Sequence, residues 1–388
     1  MSLTMHISSS PTSRAVRLGW CLLFSASLAG CSFFGAKTAK PKPADLGVNV
    51  PLIGMSQAWS SQLGSAGSLL MGINVQGSTV TLASADGTVV AVNARTGSDI
   101  WRARLGVRLG SGVGSDGRWT AVVSQDNELV VLDAGREKWR EAIPAQVFTA
   151  PLVAGERIFI LAADRTLLAF DAASGRRLWS QPRSGEALVL RQQGVLMAVG
   201  NTLVAGLSGR LVGISPDNGL VRWESPIGSA RGTNDVERLV ELVAPASRAG
   251  YSVCARAFQA SVGCVDVRNA SVQWTQKSIG AQGVGGDDST LFGAQSNGDV
   301  TAWRRGDGEP LWTTQRLAYR QLTAPLLLGR SVVVGDESGV VHLLSRDDGS
   351  ALTRIQTDGS GIAASPVEAD GTLVVMTRKG GIYGFRPD

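Results

Sequence analysis

A short stretch recurs along this chain, and it constrains the fold more than any other feature. Residues 164–180 read DRTLLAFDAASGRRLWS: a strand, an Asp, a Gly turn, then a Trp. The same unit appears at 86–101, 126–139, 164–179, 208–223, 259–274, 297–312 and 338–353. Thr353 stands in the last where the others carry Trp. An eighth unit, KGGIYGFRPD, stops at residue 388 before any Trp. The Trp residues that end successive units lie 38 to 51 positions apart, from Trp101 to Trp312. Each period has room for about four short strands, and a period near 42 residues with that content is a β-propeller blade. No helical periodicity of 11–18 residues interrupts the body. The 44% apolar content supplies a large core, and a single ring absorbs a length that otherwise suggests several domains.

The strand pattern supports stacked sheets. Ala91, Val131, Ala169, Gly213, Cys264, Ala302, Leu343 and Gly384 share one slot, mostly small. The alternate slots are largely apolar too, so both faces of each sheet must be covered. Small-small-Pro steps open the upstream strand pairs, as in Thr149-Ala150-Pro151, Thr323-Ala324-Pro325 and Ala364-Ser365-Pro366. Trp59 lacks a preceding hairpin, yet it precedes Trp101 by one repeat (101 − 59 = 42). The expected fold is therefore all-β: an eight-bladed propeller over 51–388, its N-terminal strand closing the last blade and removing free sheet edges.

The N-terminus reads as targeting. Arg14 and Arg17 precede a short apolar run, Leu18–Ala29, too short to span a bilayer as a helix. Leu28-Ala29-Gly30-Cys31 resembles a bacterial lipobox. That resemblance implies a signal over 1–30, cut before Cys31, and lipid on Cys31; an ordinary signal peptide is the alternative. Ser32 after the Cys implies the outer membrane. Residues 31–50, with Pro, Lys, Gly and Ala and no amphipathic period, read as a lipidated tether. Cleavage takes two positive side chains, so the net charge falls from +5 to about +3 (5 − 2). That gives no reason to expect nucleic acid.

Cys254 and Cys264 are the remaining cysteines. They lie symmetrically about Gln259 in what reads as a hairpin. An oxidising periplasm makes a disulfide plausible, with two small buried residues as the alternative. Only His6 and His342 occur, and His6 lies in the signal, so multi-histidine metal chemistry is excluded. His342 occupies a strand slot and reads as structural. Asp287-Asp288 and Asp347-Asp348 read as turn residues before ligands. Gly110–Gly114 lacks nucleotide-loop spacing and opens no helix.

The Asp171…Gly175…Trp179 turn resembles the tryptophan-docking repeat of pyrroloquinoline quinone-type propellers. Two branches of that group differ in function: quinoprotein dehydrogenases, and the BamB family of lipoprotein subunits of the outer-membrane β-barrel assembly machinery. The dehydrogenase branch shows adjacent cysteines near its cofactor, and this chain has no Cys-Cys pair. The lipobox, tether and eight repeats are similar to BamB. Residues 186–191, EALVLR, resemble the Leu-x-Leu-Arg stretch by which that family contacts BamA, which implies Leu188, Leu190 and Arg191 as partner-binding residues. DVERLVEL (235–242) is similar to the family's nearby acidic stretch. It implies Glu241 as a further contact, although Val243 stands where a second acid is expected. The resemblance implies a non-catalytic scaffold without cofactor, facing the periplasm from the outer membrane, with a BamA-like barrel protein, its complex and nascent outer-membrane proteins as partners. A periplasmic quinoprotein-type dehydrogenase, or a lipoprotein propeller binding sugar or peptidoglycan in its channel, are the alternatives. For Leu188 and Leu190 the other reading is inner-strand packing.

Overall fold

Small residues facing an indole across a hairpin determine how this ring is built. In the computed structural model, which describes residues 41–67, 72–183, 188–229, 234 and 239–388, the strands form eight antiparallel four-stranded sheets. The signal region, Cys31 and the first half of the tether lie outside the described residues, as do Glu186, Ala187 and Asp235–Arg238. Pro43–Asp388 forms one unit. In chain order the blades are residues 74–104, 114–142, 152–181, 196–226, 242–277, 284–314 and 326–356. The eighth takes three strands from 367–387 and its outer strand from Met55–Gln62. The expected closure by the Trp59 strand is what the structure contains.

Most of the repeat's Trp residues lie over a small residue of the neighbouring strand, with Trp139 over the larger Val131. Ala91 pairs Trp101, Ala169 pairs Trp179, Gly213 pairs Trp223 and Gly384 pairs Trp59. A Cβ on Gly213 or Gly384 would sit 2.1 or 2.2 Å from the indole. A bulge beside this position recurs in all eight outer strand pairs, and where the position holds Trp it aims the indole toward the next blade. There the ring stacks on the glycine of the next turn: Trp59 on Gly97, Trp139 on Gly175, Trp179 on Gly219, Trp274 on Gly308 and Trp312 on Gly349. These glycines have φ near +70° to +76°, so both the backbone and the indole demand glycine. The Nε1–H of Trp59, Trp139, Trp179, Trp274 and Trp312 donates to a carbonyl of that turn at 2.6–2.9 Å.

The seventh blade breaks the pattern for a physical reason. The eighth blade has no turn between its last two strands, because one ends at the C-terminus and the other comes from residue 55. A Trp at 353 would have nothing to dock on. Thr353 pairs with the large Leu343 instead of a small residue. The chain before Met55 covers this seam. Arg320 donates to the Ala44 carbonyl at 2.8 and 3.0 Å. Arg354 donates to Leu46 O at 2.6 Å and to Gly47 O. Leu52 N–H donates to Leu352 O at 2.7 Å. Leu46 packs with the core of blades six and seven, and Ile53 with that of seven and eight. The unpatterned segment expected to be tether as far as residue 50 is therefore, from Ala44 onward, part of the ring.

Cys254 and Cys264 face each other directly across the middle hairpin of blade five and are joined by a disulfide, with Cα atoms 4.0 Å apart. Both are fully buried. Closing so short a loop contributes about 2–3 kcal/mol. We expect the denatured, unreduced protein to resist alkylation at both positions, and reduction to lower stability by that amount. Labelling of both without reductant would make them a packed thiol pair.

Candidate functional site

Connections from one blade's outer strand to the next blade's inner strand, and the turns between the two middle strands, cluster at one end of the ring. Hydrogen bonds such as Leu109 N–H to Ala85 O join them. The innermost strands line a central channel of about 550 Å³, whose wall includes Pro151, Pro245, Pro325 and Pro366. The small-small-Pro steps thus contribute to the channel wall, beside larger side chains such as Leu152, Met197 and Arg248.

The connection 182–195, between blades three and four, holds the Leu-x-Leu-Arg stretch. Leu188, Leu190 and Arg191 precede the inner strand of blade four, which begins at Leu196, so they are loop residues and not inner-strand packing. Leu188 is 40% exposed. Leu190 is half-buried over a shallow groove shared with Phe148, Ala163 and Leu207. The exposed Arg191 guanidinium stacks 5.9 Å from the Phe148 ring centre.

This loop is fixed at several points. Gln192 Nε2 donates to Ala281 O at 2.6 Å, from the connection between blades five and six. Gly194 N–H donates to Thr149 Oγ1 at 3.0 Å. Gln193 O accepts from Ala244 N–H at 2.9 Å, and Gly194 bridges Val243. Arg165 Nη2 donates to Leu188 O at 3.2 Å and to Glu241 Oε1 at 2.7 Å. The structure thus brings Leu188, Leu190, Arg191 and Glu241 to one end of the ring, but it turns the Glu241 carboxylate onto Arg165. Val243 is 1% exposed, so an acid there would be buried. Arg165, Phe148 and Gln192 went unseen in the sequence. The one available signal was Arg165 within a turn motif, where it takes φ 66°.

Elsewhere the polar groups are structural. His342 Nε2 lies 3.0 Å from Asp336 inside blade seven. Asp287 accepts from the Ser289 and Thr290 amides and from Arg346 at 2.6 Å. Burial pushes its pKa up, but these donors outweigh it and hold it at about 2. Gly110–Gly114 leads into an inner strand, with no room for a Cβ at Gly114 against Pro151 O. Among the described residues no group of three or more His, Cys, Asp or Glu side chains could hold a metal.

A closed ring of eight antiparallel four-stranded sheets defines the class: an eight-bladed β-propeller. The family model described as outer membrane protein assembly factor BamB matches residues 85–314. A relative named outer membrane protein assembly factor BamB, from Burkholderia pseudomallei, is 35% identical over 362 residues, covering 92% of this chain and 94% of the relative. The chain belongs to the BamB family. The crystal structure of BamB from Moraxella catarrhalis superposes with a TM-score of 0.77 at 21% identity, covering 86% of this chain and all of that one. Quinohemoprotein alcohol dehydrogenase from Comamonas testosteroni gives 0.65 at 14% identity, over 85% of this chain and 76% of that one, a likeness of fold alone.

Proposed function

We propose that this chain is a non-catalytic scaffold lipoprotein of outer-membrane protein assembly. Lipid on Cys31, after removal of residues 1–30, holds it at the outer membrane facing the periplasm. Residues from 31 to about 43 form the tether. The propeller docks on the BamA-like barrel subunit of the assembly complex through Leu188, Leu190 and Arg191. By fixing that subunit it helps fold and insert β-barrel proteins, and strand addition to a blade edge is its route to nascent chains.

The observation that carries this reading is the loop itself: Leu188 is left in solvent on a backbone tied down at both ends. Preorganisation of that kind lowers the entropic cost of association, and an Arg beside apolar anchors is a common binding hot spot. Membership of a family named for outer-membrane protein assembly points the same way.

Affinity purification of the tagged, lipidated protein from detergent-solubilised envelopes tests it. A large outer-membrane barrel protein should copurify with wild type. It should be lost from the Leu188→Ala, Leu190→Ala, Arg191→Ala triple variant, with both proteins equally folded. Retention by the triple variant would remove the site.

A further inference from the structure

We propose that Arg165 sets the position of the docking loop and that Glu241 serves partner binding only through Arg165, as a positioning residue and not as a contact. This rests on the docking reading of Leu188–Arg191.

Arg165 sits in the middle turn of blade three, where its N–H closes the turn on Ala162 O at 3.0 Å. Its side chain is 8% exposed and that of Glu241 is 15% exposed. A single nitrogen, Nη2, reaches both the Leu188 carbonyl and the Glu241 carboxylate. It thereby joins three pieces of chain: the turn of blade three, the connection into blade four, and the end of the connection into blade five. Glu241 is itself fixed, since its carbonyl accepts from Phe258 N–H at 2.9 Å. Charge-assisted hydrogen bonds in a mostly dry setting are short and directional.

The consequence concerns the exposed end of the loop. Gln192, Gln193 and Gly194 hold the segment after Arg191. Leu188 is held from the other side by Arg165. Remove the guanidinium, and the Leu188 carbonyl loses this donor while Glu241 keeps a charge with little water and without its Arg165 partner. Breaking one side of such a pair is strongly unfavourable, and the least constrained response is for the loop to move. Removing the Glu241 carboxylate takes away the anion that holds Arg165 Nη2 beside the Leu188 carbonyl, with the same result at Leu188. Two residues that act as one unit give non-additive losses.

The test is a titration of the mature propeller with the purified periplasmic region of the barrel subunit from the same organism. Variants are Leu188→Ala, Arg165→Ala, Glu241→Ala, Glu241→Gln and the Arg165→Ala/Glu241→Ala double. Each single change at 165 or 241 should raise Kd roughly tenfold, and the double no more than either single, the signature of coupled sites. Tryptic cleavage after Arg191 should speed up in Arg165→Ala while the global unfolding midpoint stays close to wild type. Glu241→Gln preserves shape, so its loss of affinity cannot come from a cavity. If the losses from Arg165→Ala and Glu241→Ala multiply in the double variant, Glu241 touches the partner itself and the inference is overturned. Wild-type affinity in Arg165→Ala beside a weakened Leu188→Ala overturns it as well. An unchanged Leu188→Ala defeats the docking reading, and the inference with it.

Discussion

Trp179→Ala lowers the stability of the ring by about 3–5 kcal/mol, the range for deleting a large buried aromatic. The indole lies in the cluster that joins blades three and four, beside Leu203, Leu207 and Ile214. It meets Phe159 at 6.0 Å between ring centres and stacks on Gly219 of blade four. Its Nε1–H donates to Pro216 O at 2.9 Å. The truncation therefore opens a cavity at a blade junction and orphans a carbonyl. Trp223→Ala is the internal comparison. The turn beyond it carries Ala270, at φ 59°, in the glycine position, and among the described residues its Nε1 makes no hydrogen bond. Its loss should be smaller by about 1 kcal/mol, the usual net value of one hydrogen bond. Denaturant unfolding followed by circular dichroism measures both. Equal losses would mean that the N–H bond to the next blade contributes nothing.

Asp336→Ala has the second large effect, again about 3–5 kcal/mol, because it strands a set of buried donors. The carboxylate is fully buried. It accepts from the amides of Ser338 and Val340, from Ser338 Oγ and from His342, and from Arg320 at 2.8 Å. Arg320 in turn clamps Ala44. One substitution thus loosens the middle turn of blade seven and the segment that seals the seam to blade eight. Burial alone would raise the carboxyl pKa. The hydrogen bond from His342, with those of Val340 and Ser338 and the charge of His342, outweighs it and leaves the group well below the ordinary carboxylate range. A depressed folded-state value contributes stability that is complete above the unfolded value of about 3.9 and is lost as pH falls below it. Wild type should therefore lose stability steadily from about pH 4 downward, and Asp336→Ala should lose less over the same interval. A wild-type profile matching the variant's below pH 4 would show that Asp336 titrates normally.

Much of the ring was legible because its signals are local and repeat. A strand-turn-Trp unit seen six times, and a seventh time with Thr353 in the Trp position, needs no long-range information, and Trp59 one period upstream of Trp101 is enough to close the circle. The residue opposite each Trp was visible as a column of mostly small residues, and its largest member, Leu343 opposite Thr353, marks the blade without a docking turn ahead of it. Contacts made by backbone carbonyls were not legible. Residues 44–52 have no side-chain period, and what binds them is a pair of arginines more than 270 positions away. The candidate site divides the same way. Leu188, Leu190 and Arg191 stood out as a short motif. Arg165 and Glu241 are 76 residues apart in two irregular segments, and only the packing of neighbouring blades makes them partners.

The most direct measurement is in-cell crosslinking from a photoreactive amino acid placed at Leu188 or at Tyr251. Tyr251 is 50% exposed in the turn after the inner strand of blade five, at the opposite end of the ring. The expected result is an adduct with the outer-membrane barrel subunit of the assembly complex from position 188 and none from position 251. No adduct from 188, or an adduct from 251 alone, would contradict docking through the 188–191 loop.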